Sequence, residues 1–263
     1  MKKNHFVAGA LLVALGVVLL AGPTASAKGD DAPDERAVAR LDAMGKLLSQ
    51  AQRLRSTIDC NWDVAQSTGE KIEFGETRVV TIRRPDRVRV EVTQRSGSRR
   101  GLLFDGAQLA VFDLDQKVYA TTPRPGTLDA ALAYLTDDLQ MRMPLRELFS
   151  SALPKTLASL HESTRWVARE TIAGGLTDHV ALRRDVVDLQ FWIASEGDPL
   201  PRRIVITYRG DEGQPQFRAE FTEWNLAPDV PDDLFAFAAA DGAEKIPFVV
   251  PRPPTAPAAE RRR

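Results

Sequence analysis

The sequence contains a single cysteine, Cys60, and only three histidines among its 263 residues. One cysteine excludes an internal disulfide, so the fold has to be held by apolar burial and hydrogen bonds. We expect Cys60 to be a small buried hydrophobic residue. The 35 basic residues nearly balance the 36 acidic ones. This balance lacks the basic excess of a nucleic-acid-binding protein, so we expect no nucleic-acid partner.

Catalytic signatures are also missing: the sequence has no HExxH, no GxSxG, no P-loop and no GxGxxG. His161 lies where a short predicted helix ends, a position that favours a cation. His179 follows Asp178 in a predicted strand, where neighbouring side chains point to opposite faces and form no dyad. The Asp113-Leu114-Asp115 segment lacks the further oxygen ligands of a calcium loop. We therefore expect no catalytic residue, no cofactor and no metal site.

The N-terminus reads as an export signal. Two lysines at positions 2 and 3 precede an apolar run from Phe6 to Ala21, and small residues follow at Ala25 and Ala27. This order predicts a signal peptide over residues 1–27, cleaved after Ala27, and a periplasmic protein. The alternative is a retained membrane anchor, but the run is shorter than the roughly 20 apolar residues that span a bilayer.

The hydrophobic periodicity changes along the chain. Apolar residues recur every three or four positions from about 34 to 55, which predicts one amphipathic helix. Period-two strands with short turns follow, then a helical insertion at about 126–161, then more strands with connections short enough for antiparallel pairing. Residues 251–263 are rich in Pro, Ala and Arg and predict a disordered tail. We expect one domain over residues 28–250.

Large apolar side chains occupy many strands and both phases of some of them, as Phe191 and Trp192 do. A sheet that is apolar on both faces must be covered on both, or must hold something. The residues expected to line an apolar ligand cavity are Trp62, Phe74, Val90, Val92, Phe104, Phe191, Ile193, Ile206 and Phe221. The alternative is that each simply packs against the helices.

Arginines occur in pairs along the predicted strands and turns. One interpretation is a solvated sheet face whose Arg and Glu pair across strands, at about 0.2–1 kcal/mol per pair. The other is a surface for anionic lipid or a negatively charged partner. The pairs are Arg83 and Arg84, Arg87 and Arg89, Arg99 and Arg100, Arg183 and Arg184, and Arg202 and Arg203.

Four segments carry a family resemblance: GETRVVTIRRPDRVRVEV at 75–92, LLFDGAQLAVFD at 102–113, FWIASEGDPLPRRIVITY at 191–208 and PQFRAEFTEWNLAP at 215–228. Over about residues 35–250 the chain resembles an uncharacterised family of predicted periplasmic bacterial proteins, grouped with the LolA/LolB-like lipoprotein-carrier fold. The resemblance implies an α+β fold, in which an N-terminal helix and a central helical insertion cover an open, strongly curved antiparallel half-barrel. It transfers no ligand-binding residue to this sequence.

These observations together predict a non-enzymatic periplasmic binding or carrier protein. Its ligand would be a lipid, a lipoprotein acyl chain or another apolar molecule held in the half-barrel cavity. The expected partners are that ligand or a lipidated protein, and the membrane surface, and the expected state is a monomer. The alternative function is an envelope assembly or stress-sensing protein that binds a partner protein through the sheet edge or an Arg-rich rim.

Overall fold

A computed structural model describes residues 33–248. Helix α1 (Glu35–Gln50) begins at Asp34, whose carboxylate accepts the backbone N–H groups of the next turn. The sequence predicted a helix to residue 55, but α1 ends at Gln50 and a strand starts at Arg53. Leu54 satisfies both the helical and the strand periodicity, and the structure places it, fully buried, in the strand.

Six strands follow α1 as a meander. The Asp105 carboxylate accepts the amide N–H groups of Ala107 and Gln108, and Gly106 has a φ of 85°, so these residues form the predicted tight hairpin turn. The strands are β1 (Arg53–Ala65), β2 (Lys71–Arg83), β3 (Arg87–Gln94), β4 (Arg99–Phe104), β5 (Gln108–Asp113) and β6 (Val118–Pro123).

The helical insertion comes next and is built from short pieces. Thr127 caps its first helix by accepting the N–H of Ala130. The pieces are α2 (Leu128–Ala133), a π-helical turn (Tyr134–Asp138), α3 (Arg146–Phe149), α4 (Leu153–Ala158) and a 3-10 turn (His161–Ser163). Residues 141–145, which we call the strap, join the π-helical turn to α3 without regular secondary structure.

A second meander completes the sheet with β7 (Arg165–Ile172), β8 (Gly175–Arg184), β9 (Val187–Ala194), β10 (Pro201–Tyr208) and β11 (Gln216–Asn225), and β12 (Glu244–Lys245) follows later. The order is β12-β6-β5-β4-β3-β2-β1-β11-β10-β9-β8-β7. Only β12 and β6 pair in parallel among the described strands. The long central strand β1 joins the two meanders, and the sheet stays open. The predicted α+β half-barrel with its two helical covers is therefore confirmed.

The two faces of the sheet are covered by different parts of the chain. On β1 the alternate residues Leu54, Ile58 and Cys60 are fully buried and belong to one core with residues of α1 to α4. We call this the inner face. On the outer face the C-terminal segment lies across the first meander, where Phe235 is fully buried. Phe237 there lies with its ring centroid 5.2 Å from that of Tyr119. The apolar residues on both faces of the first meander are thus covered by other parts of the chain.

The predictions for residues 1–27 and 251–263 lie outside the described residues, so the signal peptide, its cleavage after Ala27 and the tail stay predictions. The domain limits 28–250 do so as well. Within residues 33–248 no helix has the length and apolarity needed to cross a membrane.

Candidate functional site

Open space remains on the inner face in three places. Cavity A, about 520 Å³, lies between β2–β6 and the strap, and its walls include Val90, Leu102 and Val111. Cavity B, about 480 Å³, lies between the strap and the ends of β1, β10 and β11. Cavity C, about 270 Å³, lies between strands β9 and β10 and helices α3 and α4. Cavities A and B fall within the roughly 300–1,000 Å³ typical of ligand pockets.

The strap lines all three cavities. Met141 and Met143 line A, Arg142 lines both A and B, Pro144 lines B and C, and Leu145 lines C. Methionine is unbranched and adapts to irregular surfaces. A short segment without regular hydrogen bonding therefore forms the common roof of the cavities, and its displacement would enlarge all of them.

Five of the nine residues predicted from the sequence line these cavities. Val90 and Val92 lie in the wall of A. Trp62 lies in the wall of B. Phe191 and Ile206 lie in the wall of C. The structure therefore distributes these side chains over three neighbouring spaces rather than bringing them into one.

The other four predicted residues are placed differently. Phe104 and Ile193 are fully buried core residues, and Phe221 is 3% exposed and belongs to the same core. None of these three lines cavity A, B or C. Phe74 is 47% exposed and stacks on Trp62 with 6.4 Å between ring centroids. It lies beside the wall of cavity B.

An exposed apolar patch continues from Phe74 to the tip of the β1–β2 hairpin. Trp62 pairs with Phe74 across the strands, and Val64 pairs with Ile72. Val64 is 39% exposed and Ile72 is 48% exposed. Contiguous exposed apolar side chains of this kind mark binding sites for ligands, partners or membranes. The patch borders cavity B, since Trp62 and Val64 also line that cavity.

Cavities A and B are both lined by four charged residues of the inner face: Glu76, Arg78, Arg100 and Arg142. Sequence reasoning named Arg100 as a member of an arginine pair and missed the other three. A signal existed for Glu76 and Arg78. Glu76 and Arg78 share the alternation phase of Val80, whose side chain is buried. Charged residues at strand positions that alternate with buried apolar residues point inward and are therefore candidate site residues.

At the other end of the inner face a buried carboxylate ties α1 to the sheet. Asp178 on β8 lies 2.6 Å from Arg40 Nε of α1 and accepts a hydrogen bond of 2.8 Å from Arg169 Nε. The Asp178 side chain is 1% exposed. Burial raises the pKa of this carboxyl, but the hydrogen bond from Arg169 and the charge of Arg40 outweigh burial and hold the pKa below its usual value. This group anchors the helix.

The two histidines within residues 33–248 are engaged in structural contacts. His161 Nε2 lies 2.8 Å from Asp42 Oδ1, which links the insertion to α1. His179 has Nε2 3.0 Å from Gln190 Oε1 and Nδ1 3.0 Å from Glu170 Oε1. Burial lowers the pKa of His179. The His179 ring is thus held between Glu170 of β7 and Gln190 of β9.

Two further observations bear on the chemistry of the site. Cys60 is fully buried, and burial raises the pKa of its thiol to about 12, so the reactive thiolate is absent at neutral pH. Among residues 33–248 no group of three or more His, Cys, Asp or Glu side chains is placed to hold a metal ion. The described residues thus offer apolar walls and a small set of charges.

Comparison with solved structures finds distant similarities. The chain is similar to lipoprotein LppX of Mycobacterium tuberculosis at 14% identity, with a TM-score of 0.47, over 75% of this chain and 100% of that one. It is similar to a chain of the Pseudomonas aeruginosa MucA/MucB complex at 20% identity, with a TM-score of 0.43, over 77% and 61%. Similarity to the LolA superfamily protein NE2245 of Nitrosomonas europaea is 14% identity, with a TM-score of 0.38, over 76% and 97%. Values this low indicate nothing about what the chain binds.

No curated protein matches the chain. A family model described as "Predicted periplasmic protein (DUF2092)" matches residues 37–249. This match confirms the family resemblance and the periplasmic location predicted from the sequence. The chain belongs to the DUF2092 family of predicted periplasmic proteins.

Proposed function

We propose that this protein is a non-enzymatic periplasmic binding or carrier protein that holds a lipid, a lipoprotein acyl chain or another apolar ligand on its inner face. The observation that supports the proposal is the pair of cavities A and B, of about 520 and 480 Å³, under a strap without regular structure. Five of the nine residues predicted for such a site line these cavities or their neighbour C.

The walls of cavity A favour an alkyl chain. Val90, Val92, Leu102 and Val111 come from three neighbouring strands, and Met143 covers them from the strap. Water along these apolar walls finds few hydrogen-bond partners, so its replacement by methylene groups is favourable. Each buried methylene contributes about 0.8 kcal/mol, which means that two more carbons tighten binding roughly tenfold.

Binding without covalent chemistry suits the remaining groups. The ring of His179 is held on both nitrogens, and the thiol of Cys60 is buried with a raised pKa. Neither supplies a nucleophile or a base next to cavity A or B. Affinity for the ligand would therefore come from apolar burial and from the charged residues at the cavity walls.

The test is recovery of the ligand. The mature protein is purified from periplasmic extract, and bound molecules are identified by native mass spectrometry and by lipid extraction. Val90→Trp fills cavity A with an indole ring and is expected to abolish recovery and uptake of a fluorescent fatty acid. The matched control is Thr93→Trp, which places the same ring on the opposite face of the same strand and leaves uptake unchanged.

The outcomes separate clearly. Loss of uptake in Val90→Trp alone, with an unchanged melting temperature, supports the proposal. If Val90→Trp melts early, Met143→Trp fills the same cavity from the strap and replaces it. Wild-type protein that carries no ligand and takes up no fatty acid contradicts the proposal.

One observation favours the second candidate, a protein that binds a partner protein through its sheet edge. Strand β7 pairs only with β8 among the described strands, and Val167 on it is 49% exposed. An unpaired edge is a template for strand addition. Here co-purification of a specific protein would survive Val90→Trp, weaken with salt and be lost in Val167→Lys, which places a charge on the edge. Co-purification that Val167→Lys leaves intact would eliminate this candidate.

A further inference from the structure

Cavities A and B meet at a group of charged residues. Glu76, Arg78, Arg100 and Arg142 line both, whereas the remaining walls of A are mostly apolar. Glu76 is buried there, whereas Arg78 and Arg100 are partly exposed and Arg142 is exposed. A carboxylate buried in an apolar wall is costly unless it is paired, so Glu76 depends on the arginines beside it.

Glu76 holds two of the arginines in place. Its side chain is 1% exposed and accepts hydrogen bonds from Arg78 Nε at 2.6 Å and from Arg100 Nη2 at 2.9 Å. A guanidinium has five N–H donors. Apart from these contacts to Glu76, neither guanidinium makes a hydrogen bond within residues 33–248. One carboxylate thus fixes two cations and neutralises only one of them, and several donors remain unused.

Four other carboxylates line these cavities, and two of them, Asp211 and the exposed Glu212, lie in the wall of B. Asp113 accepts the amide N–H groups of Asp115 and Gln116. Asp63 is bonded on both oxygens to Arg218 Nη2, at 2.8 and 3.0 Å. Among residues 33–248, neither Asp113 nor Asp63 makes an ion pair with the three arginines of the Glu76 group.

The third arginine sits on the strap. Arg142 is 84% exposed, and its nearest carboxylate, Asp211, is 3.6 Å away and 42% exposed. An exposed pair of this kind is weak, so a better anion readily displaces the aspartate. Arg142 thus supplies a movable cation opposite the two fixed ones, on the roof of the same two cavities.

We propose that the Glu76, Arg78, Arg100 and Arg142 group binds the oxyanion head of a single-chain amphiphile whose alkyl chain lies in cavity A. This inference rests on the proposed function and names the class of its ligand. Guanidinium groups bind carboxylate and phosphate through paired charge-assisted hydrogen bonds, and an apolar surrounding strengthens those bonds. Arg142 closes on the head from the strap, which brings the roof down over the bound chain.

The experiment measures competition for the inner face. The mature protein is loaded with the neutral fluorescent probe N-phenylnaphthylamine, which dodecanoate, dodecanol and dodecyltrimethylammonium then displace at neutral pH. These competitors share the alkyl chain and differ in head charge. Dodecanoate is expected to displace the probe at about tenfold lower concentration than dodecanol, and the cation to be the weakest. Added salt should reduce the preference.

Two arginine pairs localise the effect. The variant Arg100→Gln with Arg142→Gln should lower the preference for dodecanoate over dodecanol to below about threefold, with dodecanol affinity unchanged. The control, Arg53→Gln with Arg202→Gln, removes the same charge at exposed positions that line none of the three cavities. It should keep the wild-type preference.

The failures are distinguishable. Equal displacement by dodecanoate and dodecanol, or stronger displacement by the cation, overturns this inference and leaves the proposed function standing. A preference that both arginine pairs reduce equally also overturns it, because the effect would then be one of net charge. A protein that binds neither the probe nor any of the alkyl competitors refutes the proposed function itself.

Discussion

The inner face of the sheet is filled in one region and open in another. Under α1 the side chains of Leu41, Met44 and Leu48 are fully buried. Where α2 and α3 lie over β2 and β3, only about 50 Å³ of space remains. Beneath the strap, over the neighbouring strands of the same face, the space is about 520 Å³.

The cover explains the difference. A helix of several turns presents side chains at every third and fourth position as a continuous ridge, and such a ridge packs closely against a sheet. The strap presents five residues in irregular conformation, of which Met141 is 41% exposed. The same kind of apolar sheet surface is therefore filled under the long helix α1 and open under the strap, while the short helices α3 and α4 still leave the roughly 270 Å³ of cavity C.

The buried carboxylates differ in the same way. Asp178 lies under α1 between Arg40 and Arg169, and it links a helix to the sheet. Glu76 lies beside the cavities, and both of its arginine partners belong to the same sheet, Arg78 to β2 and Arg100 to β4 two strands away. Asp178 therefore holds a helix against the sheet, whereas Glu76 holds arginine N–H donors at the wall of the cavities.

The largest expected effect is on stability and compares the two covers. Leu48→Ala leaves a void under α1 and should lower the free energy of unfolding by about 2–5 kcal/mol. Met141→Ala on the strap should change it by no more than about 0.5 kcal/mol. Urea denaturation followed by circular dichroism measures both. Equal losses would show that the strap packs as tightly as the helix and would remove the contrast.

An intermediate effect is expected at Asp178. Asp178→Asn should cost roughly 2–3 kcal/mol, less than for a fully buried pair because Arg40 and Arg169 reach solvent. The folded-state pKa of Asp178 is lowered. Its contribution is therefore present above the unfolded pKa of about 3.9 and is lost as the pH falls through the lower folded value.

The pH dependence provides the control for that variant. Wild-type stability should fall more steeply below about pH 4 than that of Asp178→Asn, because only the wild type has this carboxyl to protonate. Unfolding free energies from urea titrations at several pH values give the two slopes. Parallel slopes would mean that the Asp178 contact does not form in solution.

The smallest expected effect is on the reactivity of cysteine thiols, which measures how accessible each region of the inner face is to solvent. Cys60, with its pKa raised to about 12 by burial, should not react with a thiol reagent in the folded protein at neutral pH. Val92→Cys places a second thiol in the wall of cavity A. That thiol should react, and dodecanoate should protect it. Reaction of wild-type Cys60 at a similar rate would indicate that the filled region opens as readily as the cavity.

Much of the fold was predictable because hydrophobic periodicity and turn residues, which are local features of the sequence, determine it. The antiparallel meanders, the Asp105-Gly106 hairpin and the two helical covers follow from periodicity and turn residues. The predicted end of α1 was wrong because Leu54 fits both the helical and the strand periodicity. Only the pairing of Leu54 with β2 decides between them. The alternation of apolar and polar residues along the strands also indicated which side chains point inward.

By itself the sequence determined the export signal prediction, the fold class and the set of inward-pointing apolar residues, because these depend on neighbours along the chain. Only the tertiary structure decided that Val90 and Trp62 line a cavity while Phe104 and Ile193 fill the core. The physical reason is that a strand residue is buried by whatever lies above it. That cover comes from helices and a strap distant in sequence, and no local pattern records where they stop.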